Sequence, residues 1–390
     1  MVTPVYPPHQ GGVEIITELI VCELRKRGHQ VSVFSPANMD VEKNNYPVIK
    51  HVINSIRAVK FIKSIPDTSD IIHVQQIEPS LFYSFLLKRK YPIRPIVVTC
   101  HALMITDSGE DYVKFHPTPK GILRYFLMVL PAKYLEKVSL LNADNVITIS
   151  DKVAEACTGL ADKLRITTIP NGISLGDFPA RKAVDILNNT YCILCPGRLA
   201  PGKGQMHLVE ALQKILEAVD AKVVFTGNDA AGYKSKLIVR AKEMGVLDRI
   251  QFLDGVDFRT LIDLQSGFDI IVIPSLEESF GMSILENMAM GNIIVSTNIG
   301  GIPNLITDRI TGFLVEPSNP EQLASAVIEG LTNIQLREQI HNNALEVAKG
   351  YTIQKTVDRI EEVYLTTLAS KGSGVGLRKT ADLVAETRMD

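Results

Sequence analysis

Eleven short runs rich in Val and Ile, each followed by an amphipathic stretch, recur along the whole chain and leave few folds open. In the first half they are QVSVFSP, DIIHVQQ, PIVVTCH, DNVITIS and RITTIP; in the second, YCILCPG, KVVFTGN, IQFLDG, DIIVIPS, NIIVSTN and TGFLVEP. Near-continuous apolar runs of this length are what strands buried on both faces of a parallel sheet require. The intervening segments 13–27, 205–218, 233–244 and 320–331 have helical spacing, which predicts right-handed βαβ units. At 390 residues the chain is too long for one ordinary core. The expected fold is therefore α/β, with two Rossmann-like doubly wound parallel-sheet domains facing a cleft. Gly, Pro and charge interrupt the pattern in PNGISLGDFPARKA, residues 170–183. That divides the chain into a first domain at 1–178 and a second at 179–345. Residues 340–369 should be helical, with 346–370 expected to cross back to the first domain, and 371–390 form a tail.

Charge and cysteine usage narrow the function classes. Formal net charge is −2, against wholesale binding of nucleic acid, but the halves differ. Residues 1–178 hold 20 Lys/Arg against 17 Asp/Glu, and the remainder 21 against 26. A mildly basic first half is a weak pointer to an anionic partner or a membrane surface. Five cysteines without paired spacing argue for reduced thiols and a cytoplasmic setting. The pair Cys192 and Cys195 lies in the apolar run YCILCPG and reads as strand core. Neither a secretory leader nor an apolar run of membrane-spanning length is expected from the chain.

In open α/β sheets ligands bind beyond the carboxyl ends of the strands, so the loops there carry the chemistry. Gly11 and Gly12 stand just before the first helix, where bare backbone lets a phosphate approach its free amides; an ordinary loop fits as well. The dinucleotide fingerprint and the P-loop are both missing. His101 ends PIVVTCH, and taken alone it reads more readily as a structural histidine than as a ligand contact. In CPGRLAPGKGQ, Arg198 and Lys203 flank a Gly/Pro turn between strand and helix, a pairing suited to a diphosphate.

The stretch LEESFGMSILE sets Glu278 and Glu286 eight residues apart. Gly281 disfavours one continuous helix, so Glu278 is expected on a loop and Glu286 in the first turn of the following helix. Ser283 and Glu286 also fit a capping box, a purely structural role. Glu278 has no such explanation. Carboxylates beside free helix amides suit a ligand that offers both hydroxyls and phosphates, namely a nucleotide sugar.

At this point the chain resembles the retaining glycosyltransferases of family four, with the two-domain GT-B fold. The resemblance runs from Pro7 to about Ala369, through PPHQGGVE, RGHQVSVFSP, VVTCH, ADNVITIS, IPNGISLGDF, GRLAPGKG, PSLEESFGMSILE, NIGGIPNLI and TGFLVEP in family order. It implies that Glu286 holds the ribose and that Glu278 contacts the transferred sugar. It also implies that Arg198 and Lys203 bind the diphosphate and that His101 lies beside the reacting carbon. The amides of Phe280, Gly281, Met282 and Ser283 would help hold sugar and phosphate, and Gly12 would approach the phosphates from the other domain. Gly227 and Asn228, after KVVFT, would border the donor, with Asn228 bearing on which base or sugar fits. Family members retain anomeric configuration and need no bound divalent metal, so no cofactor beyond a UDP-, GDP- or ADP-sugar donor is implied. Asp107 and Asp111 do not make a metal-binding D-x-D. Three features depart from the pattern: the first strand is cut to about MVTPV, Asn287 replaces a usual Ala, and Asn292-Ile293 replaces a usual Thr-Pro.

The acceptor is less defined. Lys120, Arg124, Lys133 and Lys137 surround GILRYFLMVLPAKYL, and Lys88, Arg89, Lys90 and Arg94 cluster nearby, a composition suited to anionic lipid or to a buried helix with solvated lysines. GGVE and GGIP are similar to runs in enzymes that glycosylate inositol-containing acceptors. The competing readings are a nucleotide-sugar 2-epimerase and a catalytically silent nucleotide-sugar-binding subunit.

Overall fold

The computed structural model describes residues 1–3, 12–35, 62, 65, 69–76, 83–103, 130–182, 190–229 and 232–371. Within them the alternation resolves into two parallel sheets. The first domain contains α1 (Gly12–Lys26), β1 (Ile72–Gln76), α2 (Tyr83–Lys90), β2 (Ile96–Cys100), α3 (Leu130–Leu141), β3 (Asn145–Thr148), α4 (Asp151–Leu160) and β4 (Ile166–Thr168). Its strands lie in the order β1-β2-β3-β4, every pair parallel. Val2 extends this sheet with a parallel bridge to Val74 on one side and to Phe34 on the other. The chain therefore changes direction across the sheet between Val2 and β1. QVSVFSP, expected as a strand, contributes a bridge at Phe34 alone among its described residues.

The second domain contains β5 (Tyr191–Pro196), α5 (Gln205–Ala218), β6 (Ala221–Thr226), α6 (Tyr233–Glu243), β7 (Ile250–Leu253), α7 (Phe258–Gln265), β8 (Ile270–Ile273), α8 (Met282–Met290), β9 (Ile294–Thr297), β10 (Phe313–Val315), α9 (Pro320–Thr332) and α10 (Ile334–Ala348). Its parallel sheet has the order β10-β9-β8-β5-β6-β7, doubly wound about a reversal between β5 and β8. Burial on both faces explains the unbroken apolar runs. Leu194, Val224 and Ile271 join one apolar cluster, while their neighbours Ile193, Cys195, Val223, Phe225, Ile270 and Val272 join another. Cys195 is thus core, as its strand position predicts.

The expected helix over 340–369 is two helices, a correction with a local cause. α10 ends at Ala348, and Lys349, Gly350 and Tyr351 turn the chain before Thr352 caps α11 (Ile353–Ser370), its side chain accepting from Lys355 N. α11 lies on the first domain. Ile353, Val357, Ile360 and Val363 bury against Ile16, Ile20 and Leu24 of α1 and against Val97 and Ile147 of the sheet. Arg27 adds bonds to Asp358 at 2.6 Å and Glu361 at 2.7 Å.

The outgoing and returning crossings between the domains run side by side. Ile173 N donates to Tyr351 O and Ile353 N to Ile173 O, both at 2.9 Å, and Thr356 Oγ1 donates to Pro170 O at 3.0 Å. A Cβ on Gly172 would sit 2.4 Å from Thr352 O, so the crossings approach more closely than any side chain permits. Gly172→Ala is expected to cost about 1–3 kcal/mol by overpacking, seen as a lowered thermal midpoint; an unchanged midpoint would contradict this packing.

Candidate active site

The reversal between β5 and β8 marks where a doubly wound sheet opens a crevice at its carboxyl edge. Two loops leave the sheet there and pack backbone against backbone. Gly204 adopts φ 67°, and a Cβ on it would lie 1.8 Å from Pro274 O; Gly202 O accepts from Leu276 N at 2.8 Å. This contact brings Lys203 Nζ to 2.9 Å from Glu278 Oε2. Arg198 is exposed on the same loop, without an ion pair among the described residues, and its carbonyl accepts from Gln205 Nε2 at 3.0 Å. Gly227 at φ 121° closes against Gly197 O, where a Cβ would lie 2.4 Å away, and Asn228 O accepts from Leu199 N at 2.9 Å. The structure thus brings Arg198, Lys203, Gly227, Asn228 and Glu278 to one sheet edge.

A second glycine contact supports the Glu278 loop from behind. Cβ atoms on Gly300 and Gly301 would lie 1.7 Å from Glu278 O and 2.5 Å from Ser279 O, and Gly301 N donates to Glu278 O at 3.1 Å. Phe280 follows as a buried anchor with its ring 6.2 Å from that of Tyr351. α8 then begins at Met282 with Gly281 as N-cap at φ 102°. Its first amides, those of Met282 and Ser283, are helix-terminal groups of the kind that bind anions. Across the cleft, α1 begins at Gly12, and a Cβ there would lie 3.8 Å from Met282 Cγ. Two helix N-termini from different domains therefore converge on one point. Gly11 lies outside the described residues.

The capping-box reading is corrected. Ser283 lies inside α8, the cap has no side-chain bond, and Glu286 falls in the second turn. Freed from capping, the Glu286 carboxyl is buried without a hydrogen-bond partner among the described residues, and burial pushes its pKa up to about 8. The departures at 287 and 292 explain each other: Asn292 Nδ2 donates to Asn287 Oδ1 at 2.8 Å, and Asn287 Nδ2 donates to Ser283 O at 2.7 Å.

His101 stands on the first-domain side, at the carboxyl end of β2. It is buried, with Nε2 2.6 Å from Gln75 Oε1, and burial lowers its pKa to about 4, so the ring is neutral near pH 7. Among the described residues, no hydrogen bond joins it to the Glu278 group. Gln75 and His73 were missed by sequence reasoning, although a signal existed: DIIHVQQ puts polar residues at alternate positions of a strand buried on both faces. Ser150 was missed too. Its hydroxyl donates across the domains to Ser279 O at 2.6 Å, and Asn304 Nδ2 donates to Asp151 Oδ2 at 2.9 Å.

The basic cluster is partly committed elsewhere. Lys88 pairs with Asp144 at 2.8 Å, and Lys90 Nζ donates to Ile62 O at 3.0 Å and Ile65 O at 2.6 Å. Ile93 is exposed beside them and Tyr134 on α3. Lys120, Arg124, Asp107 and Asp111 lie outside the described residues. Among those described, no helix is long and apolar enough to cross a membrane, and no cluster of three or more His, Cys, Asp or Glu is arranged to hold a metal ion.

Two parallel-sheet domains that meet over their carboxyl edges, with the last helix returned to the first, constitute the GT-B fold. Residues 10–177 match the model of Glycosyltransferase Family 4 and residues 178–347 that of Glycosyl transferases group 1. The chain belongs to the family-four glycosyltransferases and is a sugar-transferring enzyme by class. It is 28% identical over 404 residues to an uncharacterized glycosyltransferase of Methanocaldococcus jannaschii, covering 95% of this chain and 99% of that one. It is also 24% identical to N-acetyl-alpha-D-glucosaminyl L-malate synthase of Bacillus anthracis over 384 residues, 94% of this chain and 97% of that one. Among solved structures, Anabaena HepE in complex with UDP-glucose shares the fold at TM-score 0.69 and 19% identity, over 94% of this chain and 99% of that one.

The Glu286 environment has a measurable signature. A carboxyl whose pKa is about 8 when folded and near its ordinary value when unfolded keeps its proton longer in the folded state. Stability therefore falls as pH rises from about 4.5 towards 8. Glu286→Gln should flatten that slope and raise the thermal midpoint at pH 8 by a few degrees, with little change near pH 5. A variant that melts lower than the parent at pH 8 would show that Glu286 is not held against its ionisation.

Proposed function

We propose that this chain transfers a sugar, with retention of anomeric configuration and without a bound metal, from a nucleoside-diphosphate sugar to a hydroxyl acceptor. The observation that carries the reading is the convergence of Lys203, Glu278 and the start of α8 at the β5/β8 reversal, opposite the start of α1. As the anomeric bond breaks, positive charge develops on the sugar ring and negative charge on the departing diphosphate. Lys203 and Arg198 stabilise the leaving group together with the amides of Phe280 to Ser283 and of Gly12, fixed dipoles that need no reorganisation at the moment of reaction. Glu278 lies within reach of Lys203 and takes hydrogen bonds from the sugar hydroxyls. Glu286 receives the ribose hydroxyls, Gly227 and Asn228 border the donor, and His101 contacts the sugar on the first-domain side. The acceptor hydroxyl attacks the same face from which the diphosphate departs.

For the acceptor, a small hydroxyl compound bearing its own anionic group is favoured, an inositol phosphate or a hydroxy acid among them. The malate named for the Bacillus anthracis relative and the basic bias of residues 1–178 support that choice. A lipid-linked acceptor is less favoured, because Lys88 and Lys90 are engaged within the protein. The five cysteines are all free, in keeping with work in the reducing cytoplasm.

Incubation with a panel of UDP-, GDP- and ADP-sugars, followed by mass spectrometry, should detect slow hydrolysis of one donor. Release of an epimerised nucleotide sugar would instead identify a 2-epimerase, and no turnover of any donor a silent binding subunit. Glu278→Gln and Lys203→Ala are each expected to cut turnover at least about 100-fold, as for loss of a key electrostatic group; near-normal rates in both would overturn the site.

Binding should also report on Glu286. Hydroxyls that donate to its carboxylate favour the charged form, so a nucleoside diphosphate must displace the proton that burial retains. Affinity for the diphosphate should rise up to about tenfold per pH unit between pH 6 and 8. Calorimetry in two buffers of different ionisation enthalpy should register the released proton, and Glu286→Gln should abolish both effects. A pH-independent affinity in the parent would remove Glu286 from the ribose site.

A further inference from the structure

A buried polar chain runs beneath α11 to His101. On the face of β1 and β2 covered by α1 and α11, where Val97 and Ile147 are apolar, stand His73, Gln75 and Thr99. Tyr364 of α11 places its hydroxyl 2.6 Å from His73 Nδ1 with the rings edge to face. His73 Nε2 lies 2.7 Å from Thr99 Oγ1 and 3.4 Å from Gln75 Nε2. Gln75 Oε1 lies 2.6 Å from His101 Nε2, while His101 Nδ1 is buried with no partner among the described residues.

Hydrogen-bond accounting selects one arrangement. If His101 carried its proton on Nδ1, that N–H would be a buried donor with no acceptor among the described residues, the rarest and costliest kind of unpaired group. The Gln75 amide would also have to turn, setting its oxygen against Met1 Sδ at 3.6 Å, an acceptor that only the amide nitrogen can serve. With the proton on Nε2, Gln75 Oε1 accepts from His101, and the Gln75 amide points its hydrogens at Met1 Sδ, 3.6 Å away, and at His73 Nε2, 3.4 Å away. His73 then donates from Nδ1 to Tyr364. Both rings are neutral in this scheme, in agreement with burial that lowers His73 to about 3 and His101 to about 4.

We propose that Gln75 is the positioning residue for His101: it fixes the Nε2–H tautomer and so leaves Nδ1 as an unpartnered acceptor for a hydroxyl of the sugar substrate, while His73 and Tyr364 hold the Gln75 carboxamide in its working orientation. The nitrogen that bonds outward is thus set by the bond its opposite number makes inward. Nδ1 is buried, and a sugar hydroxyl bonded to it would satisfy a group that has no partner among the described residues. The use assigned to Nδ1 rests on the proposed sugar transfer; the tautomer does not.

The two parts separate experimentally. In the full chain labelled with 15N-histidine, and with His101 assigned by its loss in His101→Ala, long-range 15N–1H spectra should show a protonated Nε2 and a bare Nδ1. A protonated Nδ1 in the parent would overturn the proposal, whatever the activity. Gln75→Leu should let the His101 tautomers mix and lower kcat about tenfold or more on the nucleotide sugar that the panel identifies, with donor KM within about threefold. Gln75→Glu keeps an acceptor oxygen, and should keep the tautomer and recover much of kcat. Parental spectra and kcat in Gln75→Leu would sink the positioning role. If the tautomer depends on Gln75 but His101→Ala turns over normally, the assigned use of Nδ1 is wrong and that of Gln75 as tautomer holder stands.

Discussion

Backbone pressed on backbone is the constraint from which the site follows. At Gly204 against Pro274, Gly227 against Gly197 and Gly300 against Glu278, a single Cβ would overlap a carbonyl group. These contacts have no room for adjustment, so the loops from β5, β6, β8 and β9 are placed relative to one another with less freedom than side-chain packing alone would leave. Lys203 and Glu278 inherit their separation from that stacking. Glycine here does two jobs, since Gly204, Gly227 and Gly300 also adopt positive φ that other residues avoid. A site that stabilises charge only during reaction needs its dipoles fixed beforehand, and close backbone apposition is one of the stiffest ways to fix them.

The two carboxylates illustrate how one short stretch can hold groups in opposite states. Glu278 faces a cation at 2.9 Å and is partly exposed; Glu286 is enclosed by the second turn of α8 and has no donor among the described residues. The fold keeps a costly group at that depth, and burial so complete makes sense for a side chain whose partners arrive with a ligand. The same logic applies on the other side of the cleft, where one nitrogen of His101 is satisfied and the other has no partner among the described residues.

Much of this was legible in the sequence, because the signals were periodic or steric. Continuous Val/Ile runs predicted parallel strands buried on both faces, and Gly281 predicted the break between the Glu278 loop and the helix carrying Glu286; at Gly12 an ordinary loop and a phosphate-binding helix start fitted the sequence equally. What failed was local. Ser283 and Glu286 have capping-box spacing, but Gly281 starts α8 two residues early and carries both inside the helix. The break at 349–352 was missed because apolar spacing continues through it, while Gly350 and the Thr352 cap act on backbone that the spacing does not report. His73 and Gln75 lay in plain view as polar residues in a buried strand; which groups satisfy them depends on α11, about 290 residues along the chain. Ser150 looks like an ordinary helix cap in sequence, and only the assembled domains reveal the carbonyl of Ser279 before it.

The paired crossings at 171–173 and 351–353 carry a mechanical consequence. Two polypeptide links tied to each other by hydrogen bonds resist twisting far better than one, yet bend easily about the line through both. Motion of the lobes is thereby channelled into opening and shutting along a single axis. The sliding or screwing that would carry the start of α1 out of line with the start of α8 is suppressed.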